Sequence, residues 1–136
     1  MVFPRHAGRA LQAVTVNTAG GVTGGDRFDA QFAAGLGTDL TVTTQAAERA
    51  YRANSDTPGT VTTRLAVDAG ARLSWLPQET ILFDGAAFSR RMTVDLAPDA
   101  QLLFVEPLVF GRTAGGEVLE QVRFHDTVTI RRGDTP

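Results

Sequence analysis

Carboxylates are the side chains of this sequence with the clearest capacity for chemistry. Five of them stand in or beside apolar or glycine-rich stretches, at Asp26, Glu79, Asp84, Glu106 and Glu117. Glu79 and Asp84 flank the apolar residues 80–83, and a pair of carboxyl groups is the machinery of glycoside hydrolysis. The competing interpretation is structural, because acidic side chains are rarely buried unless they are paired. The arginines available as partners are Arg90, Arg91 and Arg112.

Composition excludes several other kinds of chemistry. All 13 basic residues are Arg, so the 136-residue chain has no lysine for a Schiff base or a P-loop, and it has no cysteine for thiol catalysis, disulfides or thiolate metal sites. With His6 and His125 as its two histidines, the chain cannot form a multi-histidine metal site alone. The formal net charge of −2 argues against a nucleic-acid partner, since neutralising phosphates requires a basic face.

A glycine cluster at residues 20–26, GGVTGGD, is the strongest turn signal. Bare backbone N–H groups can bind phosphate, but the P-loop pattern requires Lys and then a helix, whereas Asp26-Arg27 and a strand-like segment follow here. We therefore expect a sharp turn between strands, with Asp26 either capping the turn or pointing into a site.

No membrane or secretory segment is visible in the sequence. The opening residues MVFPRHAGR lack the apolar core of a signal peptide, and the strongly apolar run LLFV at residues 102–105 is far shorter than the ~20 residues of a membrane span. We expect a cytoplasmic protein with no membrane partner, and the length predicts a single β domain over residues 1–136.

Short runs of alternating apolar and polar residues predict a mainly β fold with few or no helices. The clearest runs are residues 28–32, 61–67 and 92–96, each bounded by Gly, Pro or Asp. Residues 45–53 are the exception, since they are Ala-rich and could form two helical turns, although they show no apolar stripe. The aromatic side chains expected in the core are Trp75, Phe83, Phe88, Phe104 and Phe110.

A weak internal repeat suggests how the strands are arranged. Segments beginning at Gly37, Gly70 and Asp99 align with one another, which places Leu40, Leu73 and Leu102 in equivalent positions. Periods of 20–50 residues are typical of stacked units that share a core. Stacked β coils and a meander of hairpins would both produce this pattern, and a chance match among Leu- and Val-rich strands is the third possibility.

Four blocks in the chain resemble, in order, the hallmark segments of the UreD family of urease accessory proteins, also called UreH. They are NTAGGVTGGDR at residues 17–27, LTVTTQAAERAYR at 40–52, WLPQETILFDGA at 75–86 and EPLVFGRTAGGE at 106–117. One glycine motif would be weak, but four ordered blocks make a specific match.

The resemblance implies a β-helix-like fold of stacked strand–turn–strand repeats and no enzymatic activity. It implies a urease maturation factor, a scaffold that delivers nickel to apo-urease together with UreF and the GTPase UreG. Nickel(II) would be in transit through an internal passage, with no permanently bound cofactor. Family members are about twice as long, so we expect the chain to be the N-terminal to central part of a longer UreD-like protein.

The five carboxylates gain a second interpretation from this resemblance, because all of them lie in the matching blocks. Carboxylate oxygens bind Ni²⁺ less tightly than imidazole or thiolate, and a passage must hold its ion weakly enough to release it. Asp26, Glu79, Asp84, Glu106 and Glu117 are therefore candidate transient nickel contacts. The alternatives are a carbohydrate-active β domain using Glu79 and Asp84, and a metal-free interaction module.

Overall fold

The computed structural model describes residues 1–4, 10–112, 115–116 and 118–133, and within these ranges it is almost entirely β structure with no α-helix. The strands in chain order are β1 Leu11–Thr15, β2 Arg27–Ala34, β3 Asp39–Thr44, β4 Glu48–Ala50, β5 Gly59–Val67, β6 Arg72–Trp75, β7 Thr80–Leu82, β8 Ala87–Leu96, β9 Gln101–Phe104, β10 Leu108–Phe110 and β11 Arg123–Arg132. No helix long and apolar enough to cross a membrane occurs in the same ranges.

The strands form three parallel sheets, in the orders β1-β3-β6-β9, β10-β7-β4 and β11-β8-β5-β2. The chain visits each sheet once per turn, which defines coil 2 (β3–β5), coil 3 (β6–β8) and coil 4 (β9–β11). Coil 1 contains β1 and β2, with Val22 bridged to Ala50 where a strand of the short sheet would lie. The predicted β-helix-like fold is confirmed, and the hairpin meander is wrong because the paired strands run parallel.

The internal repeat corresponds to successive coils. Leu40 pairs with Leu73 and Leu73 pairs with Leu102, while Trp75 lies between Val42 and Phe104 in the same sheet. Leu73 is fully buried and Leu102 is partly buried. The sequence showed three units and the structure has four coils, since Leu11 on β1 pairs with Leu40 but is exposed.

The core lies inside the coils, where the inward residues of all three sheets meet. Alternating side chains of β5 and β8, including Leu65, Val67, Met92 and Val94, are almost completely buried, and each contributes roughly 1.5–3 kcal/mol by leaving water. Trp75, Phe83 and Phe88 are buried as predicted. The prediction for Phe110 is wrong, because it lies on the edge strand β10 and is exposed.

The possible helix over residues 45–53 is also wrong. Residues 48–50 form β4, which pairs with β7 and places Ala50 in a buried position beside Leu82. Helix propensity is a weak preference of a few tenths of a kcal/mol per residue, so burial in a sheet overrides it.

The glycine cluster is a turn, as the structural interpretation predicted. Val22 donates its backbone N–H to Arg49 at 2.7 Å and accepts one from Tyr51 at 2.8 Å, and a Cβ on Gly21 would lie 2.7 Å from the Arg49 carbonyl oxygen. Glycine at position 21 therefore allows coil 1 to approach β4 closely.

Candidate functional site

A cavity of about 520 Å³ lies between the sheets. It extends from the exposed loop residues 18–20 and 45–46 to the interior side chains Phe32, Trp75 and Phe88. Five charged side chains also line it: Asp29 and Arg49, which are exposed, and Glu48, Arg90 and Glu106, which are half-buried or buried. Because its walls are mostly apolar, these charged groups are the ones that could hold an ion or a polar ligand within it.

Arg90 is the buried charge of this cavity, with a side chain that is 8% exposed. Its Nη1 forms an ion pair with Oε2 of Glu106, while Nε and Nη2 donate to the two carboxylate oxygens of Asp126 at 3.1 and 2.5 Å. The guanidinium is always protonated and presents its donors in a rigid fork, which suits it to joining two carboxylates. We call Arg90, Glu106 and Asp126 the ion triad.

Neighbouring groups fix the triad in place. The indole Nε1 of Trp75 donates to Oε1 of Glu106 at 2.6 Å, and Arg90 Nη1 lies 3.4 Å from the hydroxyl oxygen of Thr80. The ring of Phe124 lies 5.9 Å from the guanidinium carbon. One Glu106 oxygen thus accepts a hydrogen bond from a neutral donor, whereas the other is buried, pairs with a cation and accepts no hydrogen bond from the residues that the structure describes.

Burial raises the pKa of Glu106 above its usual value, because desolvation outweighs the attraction of Arg90 and the Trp75 hydrogen bond, which both lower it. The nearby charge of Asp126 raises the pKa further. The charged form of Glu106 is thus less stable in the interior than it would be in water. A further cation beside the carboxylate would offset this cost, so the carboxylate would attract one.

The triad is positioned by strand register. Phe28, Val61, Arg90 and Asp126 occupy one row across coils 1 to 4. The row is apolar in the first two coils and ionic in the last two. The signal was present in the sequence, since extending the alternation of Met92 and Val94 back by two residues places Arg90 on the inward face.

Glu48 is a further carboxylate of the cavity and was not among the predicted site residues. It is half-buried, and the Asn17 amide donates to its two oxygens at 3.0 and 3.1 Å. The same amide also donates to the Gly21 carbonyl oxygen at 3.1 Å. Its place in the family-like block at residues 40–52 was the available signal, but the expected helix hid its inward position.

Of the four predicted carboxylates that the structure describes, Glu106 is the one that lines this cavity. Asp26 closes the glycine turn, where its Oδ2 accepts the Thr23 N–H at 2.9 Å, so the capping alternative is confirmed. Glu79 is half-buried in the connection between β6 and β7, where its carbonyl oxygen accepts the Glu48 N–H. Glu117 lies outside the described residues.

Asp84 serves as an anchor between two segments. Its Oδ1 accepts the N–H groups of Glu120 and Gln121 at 2.8 and 2.9 Å, and its Oδ2 pairs with Arg52. These backbone hydrogen bonds, followed by the charge of Arg52, lower the pKa of Asp84. A carboxylate held ionised in this way is a poor general acid, which weakens the proposed carbohydrate-active pair with Glu79.

The structure does not gather the predicted carboxylates into a closed metal site. No group of three or more His, Cys, Asp or Glu side chains able to hold a metal ion occurs in the part of the chain that the structure describes. The roles of the five residues as nickel contacts stay predictions.

The free energy of unfolding should decline on both sides of a pH maximum. Glu106 contributes to the decline on the alkaline side and Asp84 to the decline on the acidic side. The folded state binds the Glu106 proton more tightly than the unfolded chain does, so the free energy of unfolding declines as pH rises from about 4.3 through the raised pKa. The contribution of Asp84 is present above about pH 3.9 and is lost as pH falls through its lowered pKa.

Urea unfolding measured across pH tests this. Glu106→Gln should flatten the decline on the alkaline side, and Asp84→Asn should flatten the decline on the acidic side. A Glu106→Gln profile parallel to that of the unchanged protein would show that the carboxyl group is not perturbed by the fold.

Comparison with known proteins places the chain beside one family. The family model described as "UreD urease accessory protein" matches residues 1–136. The chain is 59% identical over 133 residues to a protein of Ruegeria sp. (strain TM1040) named "Urease accessory protein UreD", covering 97% of this chain and 44% of the relative.

Two further relatives carry the same name. The protein from Ruegeria pomeroyi is 53% identical over 135 residues, which cover 99% of this chain and 52% of the relative. The protein from Rhodopseudomonas palustris (strain BisB18) is 52% identical over 131 residues, which cover 96% of this chain and 47% of the relative. The chain therefore spans about half the length of the curated relatives it matches.

Proposed function

The chain belongs to the UreD family of urease accessory proteins, and from this premise we propose that it acts in urease maturation. Its role is that of a non-catalytic scaffold through which nickel(II) passes to apo-urease. The partners that the family resemblance implies are UreF, the GTPase UreG and apo-urease itself.

The observation that carries this proposal is the interior cavity, whose lining includes half-buried or buried carboxylates on two different coils. Glu48 on coil 2 is half-buried, whereas the side chain of Glu106, in the β9–β10 connection of coil 4, is 9% exposed. Oxygen ligands of this kind hold Ni²⁺ less tightly than imidazole or thiolate. Weak, spaced contacts favour passage of an ion over storage.

Glu106 is the preferred candidate contact within this proposal. Asp26 and Asp84 already have structural partners, and the cavity lining includes Glu48 and Glu106 but not Glu79. A metal-free interaction module remains the alternative function, because an apolar cavity between coils is also compatible with a purely structural scaffold.

The test is urease activation in cells that carry the urease genes and have this protein as their sole UreD-family member. Glu48→Gln and Glu106→Gln, combined, should lower urease activity by roughly tenfold or more, because metal sites typically lose that much when a supporting group is removed. Asp99→Asn, in an exposed turn, is the matched control and should have no effect.

Circular dichroism and the nickel content of purified urease complete the measurement. A well-folded double variant that activates urease fully would remove the cavity from the nickel path. Normal, nickel-loaded urease in cells lacking the protein would contradict a role in maturation altogether.

A further inference from the structure

We propose that Arg90 is a built-in counter-ion that keeps Glu106 and Asp126 from retaining a divalent cation. The ion triad would then be a cation-exchange point at the coil 4 end of the cavity. This inference rests on the proposed function for the identity of the ion, Ni²⁺, but its geometry is independent of urease.

The two carboxylates converge on a single guanidinium group. Arg90 projects from coil 3, while Asp126 on β11 and Glu106 in the β9–β10 connection both belong to coil 4. One edge of the guanidinium, with Nε and Nη2, donates to both oxygens of Asp126, and Nη1 pairs with one oxygen of Glu106. The two carboxylates are therefore arranged around a cation between coils 3 and 4, and that cation is the side chain of Arg90 itself.

Core stability does not explain this arrangement. The same row is filled by Phe28 and Val61 in coils 1 and 2, so apolar side chains fit the interior at this position. Replacing a buried ion cluster by apolar side chains of similar volume is often neutral or stabilising. Charged residues nonetheless occupy this row in coils 3 and 4, and Arg90 brings its charge to the lining of the cavity.

Removing the guanidinium would leave a cluster of oxygen ligands with no cation between them. Two carboxylates and the Thr80 hydroxyl would then face the space that Arg90 had filled, and hard oxygen ligands of this kind bind divalent cations. With Arg90 present, an arriving cation must compete with a tethered positive charge. That competition weakens retention, which is what an ion in transit requires.

Nickel titration of the purified chain by calorimetry tests the inference, with Ni²⁺ alone as the probe. Arg90→Met should bind Ni²⁺ at least about tenfold more tightly than the unchanged chain, the range over which groups supporting a metal site alter its affinity. Adding Glu106→Gln to Arg90→Met should abolish the gain.

The exposed pair Arg131–Asp95 provides a matched control. It joins the same two strands in direct register, as Arg90 and Asp126 do, but both of its side chains are more than half exposed. Arg131→Met should leave nickel binding unchanged. A folded Arg90→Met chain with nickel affinity equal to that of the unchanged chain would overturn the inference.

A second variant covers the possibility that Arg90→Met does not fold. Glutamine removes the positive charge but keeps N–H donors for the carboxylates, so Arg90→Gln should bind Ni²⁺ more tightly than the unchanged chain and should melt at a higher temperature when Ni²⁺ is added. A folded Arg90→Gln chain with neither effect would also overturn the inference.

The outcome is separable from that of the proposed function. In one outcome, Arg90→Met binds nickel more tightly but the Glu48→Gln and Glu106→Gln double variant activates urease fully. This result would support the cation-exchange point and reject the passage of nickel through the cavity to urease. In the opposite outcome, the double variant fails to activate urease but Arg90→Met gains no affinity for nickel. This result would support the passage of nickel through the cavity and reject the role of Arg90 as a counter-ion.

Discussion

Replacing Arg90 by Met should lower the free energy of unfolding by about 3–5 kcal/mol at neutral pH, because it leaves the buried carboxylate of Glu106 and the partly exposed one of Asp126 without their cation. Arg90 is the shared partner of Glu106 and Asp126, and the Glu106 side chain is almost as buried as that of Arg90. Urea unfolding followed by circular dichroism measures the change.

Charge, not lost packing, is the expected cause, and a combined variant separates the two. Adding Glu106→Gln and Asp126→Asn to Arg90→Met should restore most of the stability, since no unpaired charge then remains. Arg131→Met, which breaks the exposed pair with Asp95, should change stability by no more than about 1 kcal/mol. A triple variant as unstable as Arg90→Met would show that the methionine side chain does not fit the interior.

Leu73→Ala should lower the free energy of unfolding by about 2–5 kcal/mol. Leu73 is 0% exposed and pairs with Leu40 on one side and Leu102 on the other. Truncation removes buried methyl groups and leaves a cavity between coils 2 and 4, which the flanking strands can close only in part.

Leu103→Ala is the control for this prediction, because Leu103 lies on β9 in the same sheet but is 53% exposed. Its cost should stay within about 0.5 kcal/mol, as for most surface substitutions. Equal losses in the two variants would show that the repeat position does not determine burial.

The fold was predictable from alternation and repetition together. Alternation in residues 61–67 and 92–96 identified β5 and β8, and the aligned leucines identified stacking. The direction of pairing was not predictable, because hairpins and coils give the same alternation along a strand. β4 was missed since three residues are too few to show a period, and their Ala-rich surroundings favour helix in isolation.

The site was predictable in part. Glu106 was named, and Arg90 was identified as a possible partner of the acidic residues. Their meeting with Asp126 was not foreseen, because it depends on the register of β8 and β11, which are separated in the chain by β9 and β10. Asp84 was named for its neighbours in sequence, yet its partners lie more than thirty residues away along the chain.

Because the coils are stacked, two residues can lie close together along the axis of the fold and yet be far apart in the sequence. Arg72 and Gln101 are 29 residues apart and Arg90 and Asp126 are 36 residues apart, yet both pairs lie in direct register on adjacent strands. Adjacent strands are about 4.8 Å apart whatever the length of the loop between them. Connections between strands can therefore lengthen during evolution without moving Arg90 from Asp126, whereas one inserted coil would roughly double their separation. Selection on the spacing of interior charges thus acts on the number of coils, and loop length is left free to vary.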